Sequence, residues 1–282
     1  MAIRNVFFDL GDTLWHFPKL PSTDVIRGET MRRVGGLLRQ WGVPMEGDLR
    51  FLGRDIRFGV EAADRAAYES DCVSPDFNEV VRGIVHGKGL DITYGQAADL
   101  WDRWNLGGLL LGRAMFDDAF ETLDWLRDRG YRLGCVTNRV FGGPRFAEEL
   151  RELGLDRYFE AVAVSCDAGY LKPHAKLFEH ALEAMGAAAN ETAMVGDSLR
   201  ADVEGAQALG MTAIWRRVRK EDPPYEREEA GEGPGGHRPA ARPATRAETG
   251  RALGEFGGGE GVTPDYTIWT LRELTELPIF PK

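Results

Sequence analysis

The chain is poor in cysteine, histidine and uninterrupted apolar sequence. Three cysteines, Cys72, Cys135 and Cys166, occur in 282 residues, with no CxxC pair and no Cys/His spacing suited to zinc. That excludes a disulfide framework and fits a reduced, cytoplasmic protein. The five histidines, at 16, 86, 174, 180 and 237, are scattered, so a histidine metal cluster is not expected. No run approaches the roughly 20 apolar residues that span a bilayer, and the opening MAIRNVFFDLGD meets an acid too early for a secretion signal. Positive charge is short as well: 35 Lys and Arg stand against 45 Asp and Glu, a net charge of -10. A chain of this balance has no broad basic footprint, so neither nucleic acid nor an anionic membrane is expected as a partner.

What is present is an ordinary globular composition, 43% hydrophobic and 28% charged, with enough length for one large domain or a domain and a smaller companion. Residues 3 to 9, IRNVFFD, form a β-prone run that is apolar almost throughout, the pattern of a strand covered on both faces. Similar runs recur at 131–137, 161–165, 193–196, 212–216 and 266–269. Helical patterns lie between most of them, at 119–129, 145–153 and 176–185, each stopped by a glycine (Gly130, Gly154, Gly186). Strands alternating with helices predict an α/β fold with a doubly wound parallel sheet.

Two stretches interrupt the alternation. From about 17 to 113 there are helical patterns, among them 26–41 and 49–69, and no convincing strand. This predicts a smaller helical domain inserted after the first strand, with hinges at 17–24 and 106–113, so that 1–16 and 114–282 make the core. Residues 221–263 are rich in Gly, Pro, Glu and Arg and poor in large apolar side chains. They read as a disordered loop within the core that leaves from the functional edge, where a lid or a partner contact is the alternative.

In open α/β sheets ligands bind beyond the carboxyl ends of the strands. Asp9 closes the first strand-like run, Thr137 the second and Asp197 the fourth, while Lys172 follows the third. Two carboxylates from different strands suit a hard divalent cation such as Mg²⁺, and a lysine with a hydroxyl suits phosphoryl oxygens. Each residue alone has a plainer reading. Asp9 and Asp12 could end a strand and start a turn, Thr137-Asn138 and Asp197-Ser198 could cap helices, and Lys172 could be a surface lysine. Trp15, His16 and Phe17, where the chain leaves the core, could touch substrate or pack a hinge. Trp101 and Trp104 fit the core of the inserted helices, and His174 fits a loop surface.

In order, FFDLGDTL, CVTN, GYLKPHAKLFEHAL and MVGDSLRADVEGAQALGM resemble the four motifs of the haloacid dehalogenase-like hydrolase superfamily, over about half the chain. The resemblance implies a Rossmann-like core with a helical cap inserted after the first motif. It also implies a Mg²⁺-dependent phosphohydrolase acting on a small phosphorylated metabolite. Asp9 would be the nucleophile, forming an aspartyl-phosphate. Asp197 and the Gly11 carbonyl would join Asp9 around Mg²⁺. Thr137, Asn138 and Lys172 would bind the phosphoryl group, with Asp202 in support at the metal's outer shell or on Lys172.

One position departs from that pattern. Phosphatases of the family usually carry a second aspartate two residues after the nucleophile, which protonates the leaving group and then activates water. Here that position is Gly11, and Asp12 falls where the family usually has glycine. A positioned acid/base typically contributes about 10²- to 10⁴-fold in rate, so slow turnover, a leaving group that needs little protonation, or another acid such as Asp12 would follow. Dehalogenases of the superfamily also lack this aspartate, but they lack the Gly-Asp pair of the fourth motif, whereas Asp197 and Asp202 are both here. A degenerate member that only binds phosphate or a partner is the non-enzymatic alternative.

Overall fold

The computed structural model describes residues 2–217, the backbone of 226 and 227, Gly259 and residues 261–281. Most of the stretch 221–263 therefore lies outside the described residues. Six strands form one sheet: β1 Asn5–Phe8, β2 Arg132–Thr137, β3 Phe159–Val164, β4 Thr192–Gly196, β5 Thr212–Arg216 and β6 Tyr266–Ile268. Their order across the sheet is β6-β5-β4-β1-β2-β3, and every neighbouring pair is parallel. Each of the six strand-like runs read from the sequence is thus a strand. The Rossmann-like α/β class follows from the sheet and its helices.

Seven helices of eight or more residues accompany the sheet among the described residues. Four lie between β1 and β2: α1 Thr23–Gln40, α2 Leu52–Glu69, α3 Phe77–His86 and α4 Tyr94–Trp104. They are followed by α5 Ala119–Asp128, α6 Gly143–Glu152 and α7 Ala175–Met185. Alternation along β1 explains how the sheet is clothed. Val6 and Phe8 pack with Leu123 and Leu126 of α5 and Leu150 of α6, while Phe7 points to the other face and packs with Leu177, Phe178 and Ala181 of α7. Because both faces are covered, the strand is apolar at Val6, Phe7 and Phe8 alike.

The helices α1 to α4 bury their own apolar stripe, including Val34 and Leu38 of α1, Ile56 and Val60 of α2, Val81 of α3 and Leu100 of α4. Local signals fix their starts. Ser22 caps α1 by accepting from Val25 N (3.4 Å), Asp76 caps α3, and Thr93 with Gln96 forms a capping box on α4. Trp101 is buried in this core, as its spacing suggested, and its ring stacks on Phe141 with 4.1 Å between centroids.

One element differs from its sequence pattern. Residues 199–209, which read as a plain helix after Ser198, form a π-helical turn, Leu199–Glu204, that runs into a short α-helix, Gly205–Ala208. Ser198 caps the turn by accepting from Ala201 N (3.1 Å), and Val203 N reaches back five residues to Ser198 O at 3.2 Å. The wider winding aims Asp202 back toward the sheet edge, and such turns concentrate at functional sites.

Candidate active site

Register delivers the site. Phe8 lies between Cys135 of β2 and Val195 of β4, and Asp9 N donates to Val195 O at 2.9 Å. Two residues beyond those partners stand Thr137 and Asp197. Asp9, Thr137 and Asp197 therefore emerge at one edge of the three central strands, at their carboxyl ends.

Lys172 arrives from the segment between β3 and α7 and is the hub of the cluster. Its side chain is 2% exposed, and its three N–H groups donate to Asp9 Oδ1 (2.6 Å), Asp202 Oδ1 (2.7 Å) and Val136 O (2.8 Å). All three donors of the ammonium are satisfied. Burial alone would lower the lysine pKa, but Asp202 and Asp9 outweigh it and hold the ammonium above the ordinary lysine value. The lysine is thus a buried cation. Asn138 positions it: Asn138 Oδ1 accepts from Lys172 N (2.7 Å) and Asn138 Nδ2 donates to Lys172 O (3.1 Å). Both polar ends of Asn138 are spent on this clamp.

Asp202 spends its second oxygen on Ser198 N at 2.9 Å. Burial pushes its pKa up to about 6, with the Lys172 ammonium pulling the other way. Gly196 makes room for it, since a Cβ there would meet the Asp202 carboxylate at 2.2 Å. Asp197 is fixed through its backbone, where its carbonyl accepts from Trp215 Nε1 (2.8 Å), and its Oδ1 lies 3.5 Å from Thr13 Oγ1. Burial, then the negative charges of Asp9, Asp12 and Asp202, push the Asp197 carboxyl well above the usual range.

Asp9, Asp197 and Asp202 bring carboxylate oxygens within 4.8 Å of one another, a group that could hold a metal ion. Asp202 is the member the sequence reading kept in support, and both of its oxygens are already engaged. Asp12 adopts φ +48, a left-handed conformation rare for a residue with a side chain. This is the position where the family motif has glycine. Arg216, at the end of β5, donates to the Asp12 carbonyl, and its guanidinium lies 3.8 Å over the Phe116 ring.

These side chains face a cavity of about 250 Å³, which extends past Asp9, Thr137 and Lys172 to Trp15, Phe17 and the inner residues of α1, α2 and α4. Trp104 lines this cavity, whereas His174 caps α7 by accepting from Lys176 N (3.2 Å). Sequence reasoning missed Arg113 and Arg139, buried beside the cavity and sharing Glu149. Arg113 Nη1 is 2.5 Å and Arg139 Nη2 is 3.3 Å from its carboxylate. Arg139 directly follows Thr137-Asn138, which was the available signal. Trp215 and Arg216 carried none, because their contacts depend on the β4–β5 pairing.

The parallel sheet, with carboxylates and a lysine beyond the carboxyl ends of its strands, defines a Rossmann-like α/β protein with its candidate site at that edge. The family model for haloacid dehalogenase-like hydrolases matches residues 3–210, and the chain belongs to that family. Among curated relatives, it is 41% identical over 103 residues to the glyceraldehyde 3-phosphate phosphatase of Pyrococcus abyssi, covering 36% of this chain and 42% of the relative. It is 31% identical over 164 residues to the ribulose-1,5-bisphosphate 5-phosphatase of Halopiger xanaduensis, covering 58% and 56%. The matches thus span about half the length of these relatives.

Among solved structures, the 2-haloacid dehalogenase of Pseudomonas syringae superposes with a TM-score of 0.54 at 23% identity, covering 97% of each chain. The magnesium-bound HAD-hydrolase YfnB of Bacillus subtilis gives 0.51 at 21%, covering 98% of each. These likenesses concern the fold. No helix among the described residues is long and apolar enough to cross a membrane.

Proposed function

We propose that the chain is a Mg²⁺-dependent phosphohydrolase that cleaves a small phosphate monoester through a phosphoryl group carried on Asp9. The observation that carries this reading is Lys172 bridging Asp9 and Asp202 beside Asp197 at the sheet edge. Phosphatases among the curated relatives support the reaction class.

The donor set fits a hard divalent cation. Asp9, Asp197 and Asp202 stand close together beside one ammonium, and Asp197 is raised by burial and then by the negative charges of Asp9, Asp12 and Asp202, charge that a cation would relieve. Asp9, Asp197 and the Gly11 carbonyl would hold it, with Asp202 in support through Lys172 and Ser198. Bound there, Mg²⁺ supplies the positive charge that lets an anionic phosphoryl group approach a carboxylate. Lys172 holds Asp9 Oδ1 and is placed to share its charge with a phosphoryl oxygen, and Thr137 offers a hydroxyl to another. An Asp9 oxygen attacks phosphorus, the ester oxygen departs with its bonding electrons, and water then attacks the phosphorus of the aspartyl-phosphate to release inorganic phosphate.

In this reading 17–113 is a cap over a core of 1–16 and 114–282, and the cavity between them holds the organic part of the substrate. The pair of half-buried Asp197 and buried Asp202 favours this reading over a haloacid dehalogenase, whose halide leaves without metal assistance. The test is phosphate release from acetyl phosphate with and without Mg²⁺, in the wild type and in Asp9→Asn. Release that needs both the ion and Asp9 supports the reading. Equal release by the two proteins contradicts it.

A further inference from the structure

Two independent features of the cavity converge on the chemistry of the organic group. The first is Gly11, a residue without a carboxyl at the position where the family resemblance implies the acid that protonates the leaving oxygen. A phenol, with a pKa near 10 like the tyrosine hydroxyl, departs unprotonated far more easily than an alcohol, whose pKa lies near that of water at about 16.

The second feature is the wall facing the carboxylates. Phe17, Leu20, Ile26, Trp104, Leu106 and Phe141 line it. Trp104 and Phe141 belong to one aromatic stack with Trp101, with interplanar angles near 20°, so the packing of these rings on one another holds this side in place.

Three polar side chains around that wall are already engaged with the protein. Thr30 Oγ1 donates to Ile26 O (2.9 Å), Arg57 Nε donates to Glu61 (2.7 Å), and Asn105 Oδ1 accepts from Gly107 N (2.9 Å). Arg113 and Arg139 share Glu149 and cover aromatic faces. Arg113 lies 4.2 Å over Trp15 and Arg139 4.3 Å over Phe146, and their Nε atoms are buried without an acceptor. His16 stacks on Phe116 at 4.4 Å. A substrate rich in hydroxyls would have to break the Thr30, Arg57 and Asn105 pairs to be recognised, whereas a ring needs only the apolar wall.

We infer that the substrate is an aryl phosphate, a phosphate ester of a phenolic hydroxyl whose ring lies against Trp104 and Phe141. This rests on the phosphohydrolase reading and names the ester it cleaves. Asp9 forms a bond to phosphorus, the P–O(aryl) bond breaks, and the phenolate carries away the electron pair and takes a proton from water. Water then cleaves the aspartyl-phosphate.

Two measurements test the inference, one of them without turnover. Calorimetry with Mg²⁺ compares phenylphosphonate with methylphosphonate. The wall predicts that phenylphosphonate binds the wild type roughly 10-fold or more tightly, and that Phe141→Ala narrows the ratio. Equal affinities in the wild type overturn the inference whatever the enzyme does. Turnover then compares phenyl, benzyl and glycerol phosphates. The expected order of kcat/KM is phenyl, then benzyl, then glycerol, because benzyl phosphate keeps the ring but loses the good leaving group. A preference for glycerol phosphate overturns the inference and leaves the phosphohydrolase reading standing. If acetyl phosphate and all three esters release no phosphate, the phosphohydrolase reading falls, and the aryl ester with it.

Discussion

Lys172 Nζ and Asp9 Oδ1 lie 2.6 Å apart inside the protein, and the same ammonium holds Asp202 at 2.7 Å. The lysine is therefore the counter-charge for a buried carboxylate pair, and in the proposed reaction it would also place that charge beside a phosphoryl oxygen. Lys172→Met, close in length but uncharged, should lower the catalytic rate by about 10²- to 10³-fold. It should also cost about 3–5 kcal/mol of stability at neutral pH, because two carboxylates lose their partner. Denaturant midpoints and initial rates measured together check both. A variant with wild-type stability would show that the pair is not the cation's main structural work.

Gly11→Asp restores a carboxyl two residues after the nucleophile. Alkyl phosphates such as glycerol phosphate should then be cleaved faster, toward the roughly 10²- to 10⁴-fold that a positioned acid provides. Phenyl phosphate should change little in its first chemical step. Single-turnover rates on the two esters are the check, and unchanged hydrolysis of the alkyl ester would mean that Gly11 is not the missing acid.

Asp12 bears φ +48, which glycine adopts without penalty and alanine does not. Asp12→Gly should be more stable than Asp12→Ala by about 1 kcal/mol, although both remove the same carboxylate. Thermal melts of the two variants compare them directly. An alanine variant as stable as the glycine variant would argue against backbone strain at this turn.

Asp64 of α2 is 2% exposed, and its Oδ1 has no hydrogen-bond partner. Burial raises its pKa to about 6, against about 3.9 in an unfolded chain. Between those values the folded protein keeps a proton that the unfolded chain has released. Stability from this group is therefore present at low pH and lost as pH rises from about 4 to about 6. The loss is on the order of 2–3 kcal/mol. Asp64→Asn should stabilise the protein by about that much at pH 7 and by little at pH 4, as read from urea midpoints at the two pH values.

Much of this arrangement is legible in the sequence. The six strands and the helices 119–129, 145–153 and 176–185 announced themselves through apolar runs and glycine stops, because a doubly covered sheet leaves a simple pattern. Asp9, Thr137, Lys172 and Asp197 were readable because they stand at strand ends, and register then brings them together. The π-helical turn at 199–204 was not legible, since its apolar spacing also suits an α-helix, and what distinguishes them is the five-residue bond from Val203 N to Ser198 O with the reach of Asp202 toward Ser198 N and Lys172. Arg113 and Arg139 were missed because their shared partner, Glu149, comes from α6 and long-range pairing leaves no local mark. The two hydrogen bonds between Asn138 and the Lys172 backbone were not legible either, because they join segments 34 residues apart.

The central claim is that Asp9 carries the phosphoryl group. Acid-quenched single turnovers of phenyl phosphate with Mg²⁺, followed by peptide mass analysis, test it most directly. The account predicts one phosphoryl group on the peptide containing Asp9, formed no more slowly than phenol is released and absent in Asp9→Asn. Phenol release by the wild type with no phosphorylated Asp9 at any quench time, together with undiminished turnover by Asp9→Asn, would contradict it.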